Sequence, residues 1–167
     1  SASAQYNATE VQIWGRDNLD FAETSSNTDG AFYEAGWSLL YQGDIDGENL
    51  SADSFLISPA NQIRYIRYRV LSTVGNTNSQ LTEMTLYGQD TQGIVHDKSL
   101  FSMPLMPSDN PGTSYGANPS NYLWDNNALW SGNDAYGYHS GENAVPGHFT
   151  LNLGVKTQLS KCKLHFR

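Results

Sequence analysis

Short segments of this chain alternate apolar and polar residues with a period of two, and no long segment shows a convincing 3.6-residue period. In residues 9–15, Val11 and Ile13 fall on one face, with Gln12 and Trp14 on the other. Residues 63–72 (IRYIRYRVLS) place Ile66, Tyr68 and Val70 opposite Arg67 and Arg69. Residues 80–87 set Met84 and Leu86 inward and Glu83, Thr85 and Tyr87 outward. Residues 148–153 alternate Phe149, Leu151 and Leu153 against His148, Thr150 and Asn152. Residues 159–166 place Cys162, Leu164 and Phe166 opposite Lys161, Lys163 and His165. Residues 35–42 (AGWSLLYQ) read as a further strand, with Leu39 inward. Such segments are half-buried strands, one face in the core and one in water. The expected core is Val11, Ile13, Leu39, Ile66, Tyr68, Val70, Met84, Leu86, Phe149, Leu151, Leu153, Leu164 and Phe166.

Between the strands lie long polar stretches, 16–34, 43–62, 73–79, 88–98 and 106–147, rich in Gly, Asn and Pro. Many short strands with such connections indicate a sandwich or jelly roll. Loops this long in a compact domain usually carry ligands or metals. A length of 167 residues suits one domain with a real core. The formal net charge of −8, from 17 acidic and 9 basic residues, disfavours nucleic acid and anionic membrane as partners. Neutral ligands such as glycans stay open. No apolar run approaches the roughly 20 residues of a membrane-spanning helix. Cys162 is the single cysteine, so stability rests on the core and not on an internal disulfide.

Three groups of residues carry candidate chemistry. Asp125, Asn126 and Asn127 with Glu83 offer oxygen ligands of the kind a hard cation takes, and Asp125 serves equally well in an Asx-turn. Arg64, Arg67 and Arg69 stand out in a chain that is only 16% charged. They either grip an anionic group or pair with acidic neighbours on the outer face of a strand. Trp130 and Tyr136 share a loop with Asn133 and Asp134, and Tyr138 and His139 follow. A sugar presents an apolar C–H face and a polar rim, so a flat ring beside amide and carboxylate groups suits it. The same Trp130 serves equally as a plug beneath the sandwich. Should that loop be structural, 16–34 and 43–62 are the next segments in which to seek a site. No P-loop, H-x-x-x-H or C-x-x-C spacing occurs, and the carboxylates show no distinctive pairing. The expectation is a binding module and not an enzyme.

The ordered motifs resemble the discoidin family, also called coagulation factor 5/8 type C, in the version found on surface proteins of gut bacteria. Trp124-Asp125-Asn126-Asn127, then Tyr138-His139-Ser140, then Phe149-Thr150-Leu151-Asn152-Leu153-Gly154 resemble the front of such a domain. The runs IWGRDN at 13–18, WSLL at 37–40, IRYIRYRV at 63–70 and LTEMTLYG at 81–88 resemble its back. Residues 93–167 therefore match the family's N-terminal half and 1–92 its C-terminal half. The resemblance implies one domain in rotated order, through a circular permutation or a cleaved or rotated numbering, with halves of a tandem pair as the third reading. The complementarity of the two pieces disfavours the last, and the first two place Ser1 beside Arg167. The chain departs from the family pattern at Asn152, where Asp is usual, at Tyr138, where Trp is commoner, and in a loop enlarged at 128–137.

The resemblance implies an all-β, galactose-binding-like jelly-roll β-sandwich. It implies a non-catalytic carbohydrate-binding module of a secreted, periplasmic or outer-membrane surface protein, tethered to other domains. A glycan partner would sit at the loop end carrying Trp130, Asn133, Asp134, Tyr136 and His139, with Arg64 joining if its strand ends at that pole. One structural calcium ion is implied at Asp125, Asn127 and Glu83. The alternatives are a protein–protein or spacer domain in a surface assembly, or an accessory domain of a chitobiase-like glycoside hydrolase.

Overall fold

The computed structural model describes residues 4–18, 27–46, 53–56, 62–90, 138–140 and 144–166, and for 53–56, 89–90 and 138–139 the backbone alone. A short 3-10 turn, Ala4–Tyr6, leads into β1 (Ala8–Arg16). Helix α1 (Asp29–Glu34) and strands β2 (Ser38–Asp44), β3 (Asp53–Leu56) and β4 (Ile63–Thr73) follow. The remaining elements are β5 (Gln80–Leu81), β6 (Glu83–Asp90), β7 (Tyr138–His139) and β8 (Gly147–His165). Every strand pairing is antiparallel. The all-β class expected from the alternation is what the chain adopts. One sheet runs β2-β1-β4-β8-β3, with β6 also on β8, and β5 pairs with β7 separately.

Strand β8 is 19 residues long and does the work of two strands. Its first part, Gly147 to Asn152, pairs with Val70 to Tyr65 of β4. Its second part, Thr157 to His165, pairs with β6, and Lys161 to Leu164 also pair with β3. Between the parts, Tyr65 faces Asn152 but Ile63 faces Thr157, so β8 carries surplus residues that bulge out and turn the strand. Gly154 takes the left-handed conformation needed there, at φ 79°. The Asn152 side chain holds the bend: its Oδ1 accepts the Gly154 N–H at 2.9 Å and the Arg64 Nε–H at 3.2 Å. The bend folds the sheet into a sandwich around one core. Val11, Ile13, Ile66, Tyr68, Val70, Phe149, Leu151 and Leu153 from one side meet Met84, Leu86, Cys162, Leu164 and Phe166 from the other. Full burial of such side chains is worth about 1.5–3 kcal/mol each.

Leu39 is the exception in the expected core. A bulge in the β1–β2 ladder pairs Ile13 with Tyr41 and Trp14 with Leu39, leaving Leu40 between them. That slip turns Leu40 into the core, and Leu39 packs half-buried on the opposite face.

The expectation that the second face meets water holds for Thr85, Tyr87, Lys161, Lys163 and His165, which are partly or well exposed, and is corrected for β1, β4 and the first part of β8. Gln12, Trp14, Arg67, Arg69, His148 and Thr150 are all buried, because residues 27–37 lie across that face. Thr28 caps α1, its Oγ1 accepting the Ala31 N–H at 3.2 Å, and Gly36 ends the turn at φ 83°. Phe32 of α1 joins Trp14 and Trp37 in a second apolar cluster. Trp14 and Trp37 are thus packing residues. Glu83, expected to point outward, is also buried. The β5–β7 ladder beside it forms a covered corner in which Ser79, Gln80, Thr82 and Ser140 are buried as well.

Candidate functional site

The β1 strand pairs with both β2 and β4, so the last residues of β1 meet the first of β2 and β4 at one pole: Gly15 faces Ser38 on one side and Ile66 on the other. A cleft of about 300 Å³ opens there, lined by Gly15, Arg16, Asp17, Gly36, Ser38, Gln62 and Ile63. Its walls carry a guanidinium, a carboxylate, a hydroxyl and a primary amide over one apolar contact, Ile63. The Arg16 Nε donates to the Asn18 carbonyl at 2.9 Å. The Arg16 Nη1 lies where a Cβ on residue 36 would stand, so the glycine at 36 admits the guanidinium as well as the positive φ. Asp17 pairs with Lys156 at 3.1 Å, both about half exposed. An exposed pair of this kind is worth about 0–1 kcal/mol, so the carboxylate is available to a ligand at small cost.

Arg64 stands next to Ile63 of this cleft, yet its Nε is committed to Asn152 at 3.2 Å, and its guanidinium lies 5.7 Å from the Tyr65 ring centre. It holds the β8 bend. His139 lies at the other pole: its backbone pairs with Gln80, just beyond the Thr73 end of β4. From Arg64 to Thr73 roughly 30 Å of strand rise intervenes. The expectation that Arg64 joins a site around His139 is therefore corrected. Trp130, Asn133, Asp134, Tyr136, Asp125 and Asn127 lie outside the described residues, as do Ser1 and Arg167.

Of the three metal candidates, Glu83 is described. It begins β6 opposite His165 in the covered corner and is 2% exposed. In the same short run, Ser79 Oγ and Gln80 Oε1 are buried with no hydrogen-bond partner among the described residues. Ser140 Oγ accepts the Ser79 N–H at 2.7 Å. Carboxylate, amide and hydroxyl oxygens are the donor set a hard cation takes, so these residues fit calcium chemically. Among the described residues no three His, Cys, Asp or Glu side chains converge on one point.

Arg67, Arg69 and His148 form a buried polar layer under α1. The Arg67 guanidinium lies 4.5 Å from the Trp37 ring centre and 5.1 Å from that of Phe32, and its Nε donates to Thr150 Oγ1 at 3.0 Å. Arg69 donates to Gln12 Oε1 at 2.9 Å and to the Asn27 carbonyl, and forms an ion pair with Asp29. Neither guanidinium faces a ligand. His148 Nδ1 is 3.0 Å from Asn27 Oδ1. Burial, helped by the charges of Arg67 and Arg69, holds its pKa down to about 3, so the ring is neutral with Nδ1 donating. Burial pushes the Cys162 thiol far up, and it stays protonated within the core. Neither His148 nor Cys162 offers a base or nucleophile to a substrate in solvent.

Sequence reasoning named the segments of the cleft, 16–34 and 43–62, as second choice and passed over Arg16, Asp17, Ser38 and Gln62. The available signal was Gly15 and Gly36 flanking polar residues at strand ends. No family model, curated protein or solved structure matches the chain.

Proposed function

We propose that this chain is a non-catalytic carbohydrate-binding module of a secreted or cell-surface protein, built as a galactose-binding-like jelly roll, and that it takes a sugar in the Arg16–Gln62 cleft. The observation that carries this reading is the cleft itself. It brings donors and acceptors of four kinds together on strand ends that the β1–β2 and β1–β4 ladders hold rigid. A sugar ring with several hydroxyls, each donor and acceptor at once, matches such a wall. Groups at or next to the strand ends lose little freedom on binding, which favours a selective site. The discoidin resemblance, with its rotated order, supports the same reading. A structural calcium at Glu83, with ligands from 125–127, belongs to the proposal. A protein-docking role rests on an exposed apolar patch, and among the described residues only Tyr33 and Tyr87 are large, apolar and exposed.

A glycan array followed by calorimetry on the best hit tests the reading. Asp17→Ala and Gln62→Ala are expected to abolish the binding while leaving the melting temperature in place, and Trp130→Ala is expected to retain it. Loss in the Trp130 protein alone moves the site to the 126–139 loop. No binding to any glycan overturns the function.

A further inference from the structure

The layer beneath α1 has a composition the binding function does not require. His148, fully buried, lies edge-on to Phe32 of α1, with ring centres 5.0 Å apart at 83°. Through Nδ1 it meets the Asn27 side chain at 3.0 Å. The charged groups around it are Arg67 and Arg69 from β4 and Asp29 from the first turn of α1. From β1 the layer receives Gln12 and Trp14, with the Glu10 carboxylate linked to Gln12 through Gln42, and from β8 itself Thr150. The Asp29 carboxylate is already engaged by Arg69 and is about half exposed. An imidazolium at 148 adds a third cation to this buried layer, beside Arg67 and Arg69.

The two sides of this layer are held very differently. The β4–β8 side is fixed by a continuous ladder. The other side is a 6-residue helix that joins no ladder, anchored by the Phe32 and Trp37 rings and by the bonds of Asn27 and Asp29. Local opening follows the less cooperative unit. Gly36, in the left-handed conformation, stands between α1 and β2.

We propose that residues 27–37 form an acid-released flap: protonating His148 expels the flap from the face of β1, β4 and β8, while the sheet itself stays folded. The burial that keeps the ring neutral at pH 7 also sets the sign, because the closed flap excludes a proton that the open flap accepts. Gly36 and Ser38 line the cleft and flank Trp37, so release dismantles one cleft wall. This last consequence rests on the carbohydrate reading, and the release itself does not.

Hydrogen exchange read peptide by peptide between pH 7 and pH 4, corrected for intrinsic rates, tests the flap. Below about pH 6.5 the opening constant of 27–37 is expected to rise by up to about tenfold per pH unit, with β4 and residues 147–153 still protected. In His148→Gln, whose amide can still bond Asn27 but does not titrate, the rise disappears. Equal protection of 27–37 at both pH values overturns the proposal. So does loss of flap and sheet protection together, or an unchanged rise in the Gln protein. Should that variant fail to fold, the His148 ring resonance of the wild-type chain is followed instead. It is expected to titrate in step with flap opening, and a ring that stays neutral while the flap opens overturns the idea.

Discussion

Two guanidinium groups lie in the interior of a chain with few charges, and each is kept by a specific set of partners. Arg67 lies against Trp37 and Phe32, and Arg69 is bonded to Gln12, Asn27 and Asp29. Burying a charge is costly unless such partners exist, so these residues tie the 27–37 segment to the sheet and to nothing in solvent. Their face was legible from the alternation of 66–70. Their burial was not, because a short segment folding over a sheet leaves no mark in the strand's own pattern. His148 shows the same limit. Its position opposite Phe149 and Leu151 was clear, but its surroundings come from Asn27, Phe32, Arg67 and Arg69, all far away in the chain.

The sign of the His148 effect on stability follows from its depressed pKa. Above pH 6.5 neither the folded nor the unfolded chain protonates this residue, and the contribution is fully present. Between pH 6.5 and about 3 only the unfolded chain takes up the proton, so stability falls as pH falls, by up to about 1.4 kcal/mol per unit. Urea titrations across that window in wild type and His148→Gln are expected to show a shallower slope in the variant. At the core, Leu151 is buried against Ile66 and its neighbours. Leu151→Ala is expected to cost about 2–5 kcal/mol by chemical denaturation, and a loss under about 0.5 kcal/mol would place this residue on the wrong face.

Among the elements, β8 decides the architecture. The sequence shows two strand patterns, 148–153 and 159–166, and the structure joins them through one bend at Asn152 to Thr157. Asn152, one of the residues that depart from the discoidin pattern the sequence resembles, ties the bend. What the position requires is a side-chain oxygen acceptor, which Asp supplies as well as Asn. Asn152→Asp is therefore expected to leave stability within about 0.5 kcal/mol or to raise it through the nearby Arg64. Asn152→Ala is expected to lose about 1–2 kcal/mol, since the Gly154 N–H and Arg64 then lose their acceptor. Thermal melts of the two proteins side by side check the contrast. The elements that escaped sequence reading were α1, β3 and β7. Each is too short to establish a period, and α1 announced itself only by Thr28 before Asp29. The one-residue slip at Leu39 and Leu40 had the same kind of cause, a bulge set by the partner strand.

At the scale of the whole molecule, the bent sheet encloses the main core of the described residues, and its two poles divide the candidate chemistry. The Arg16–Gln62 cleft lies at the Ile63 end of β4, and Glu83 lies in the covered corner with the β5–β7 ladder. At the Glu83 corner, calcium is expected to raise the melting temperature by mass action, and a chelator to lower it. Coincident melting curves with excess calcium and with chelator remove the ion from the account. The cleft was only partly legible from sequence, because its residues come from strand ends far apart in the chain and only the ladder register brings them together. The measurement that bears most directly on the central reading is calorimetric titration of the best array glycan into wild type and Asp17→Ala. The account predicts a dissociation constant on the order of 0.1–1 mM for wild type, as suits a shallow polar site, and no detectable heat for the variant. Equal binding by both proteins, or none by either to any glycan tried, contradicts it.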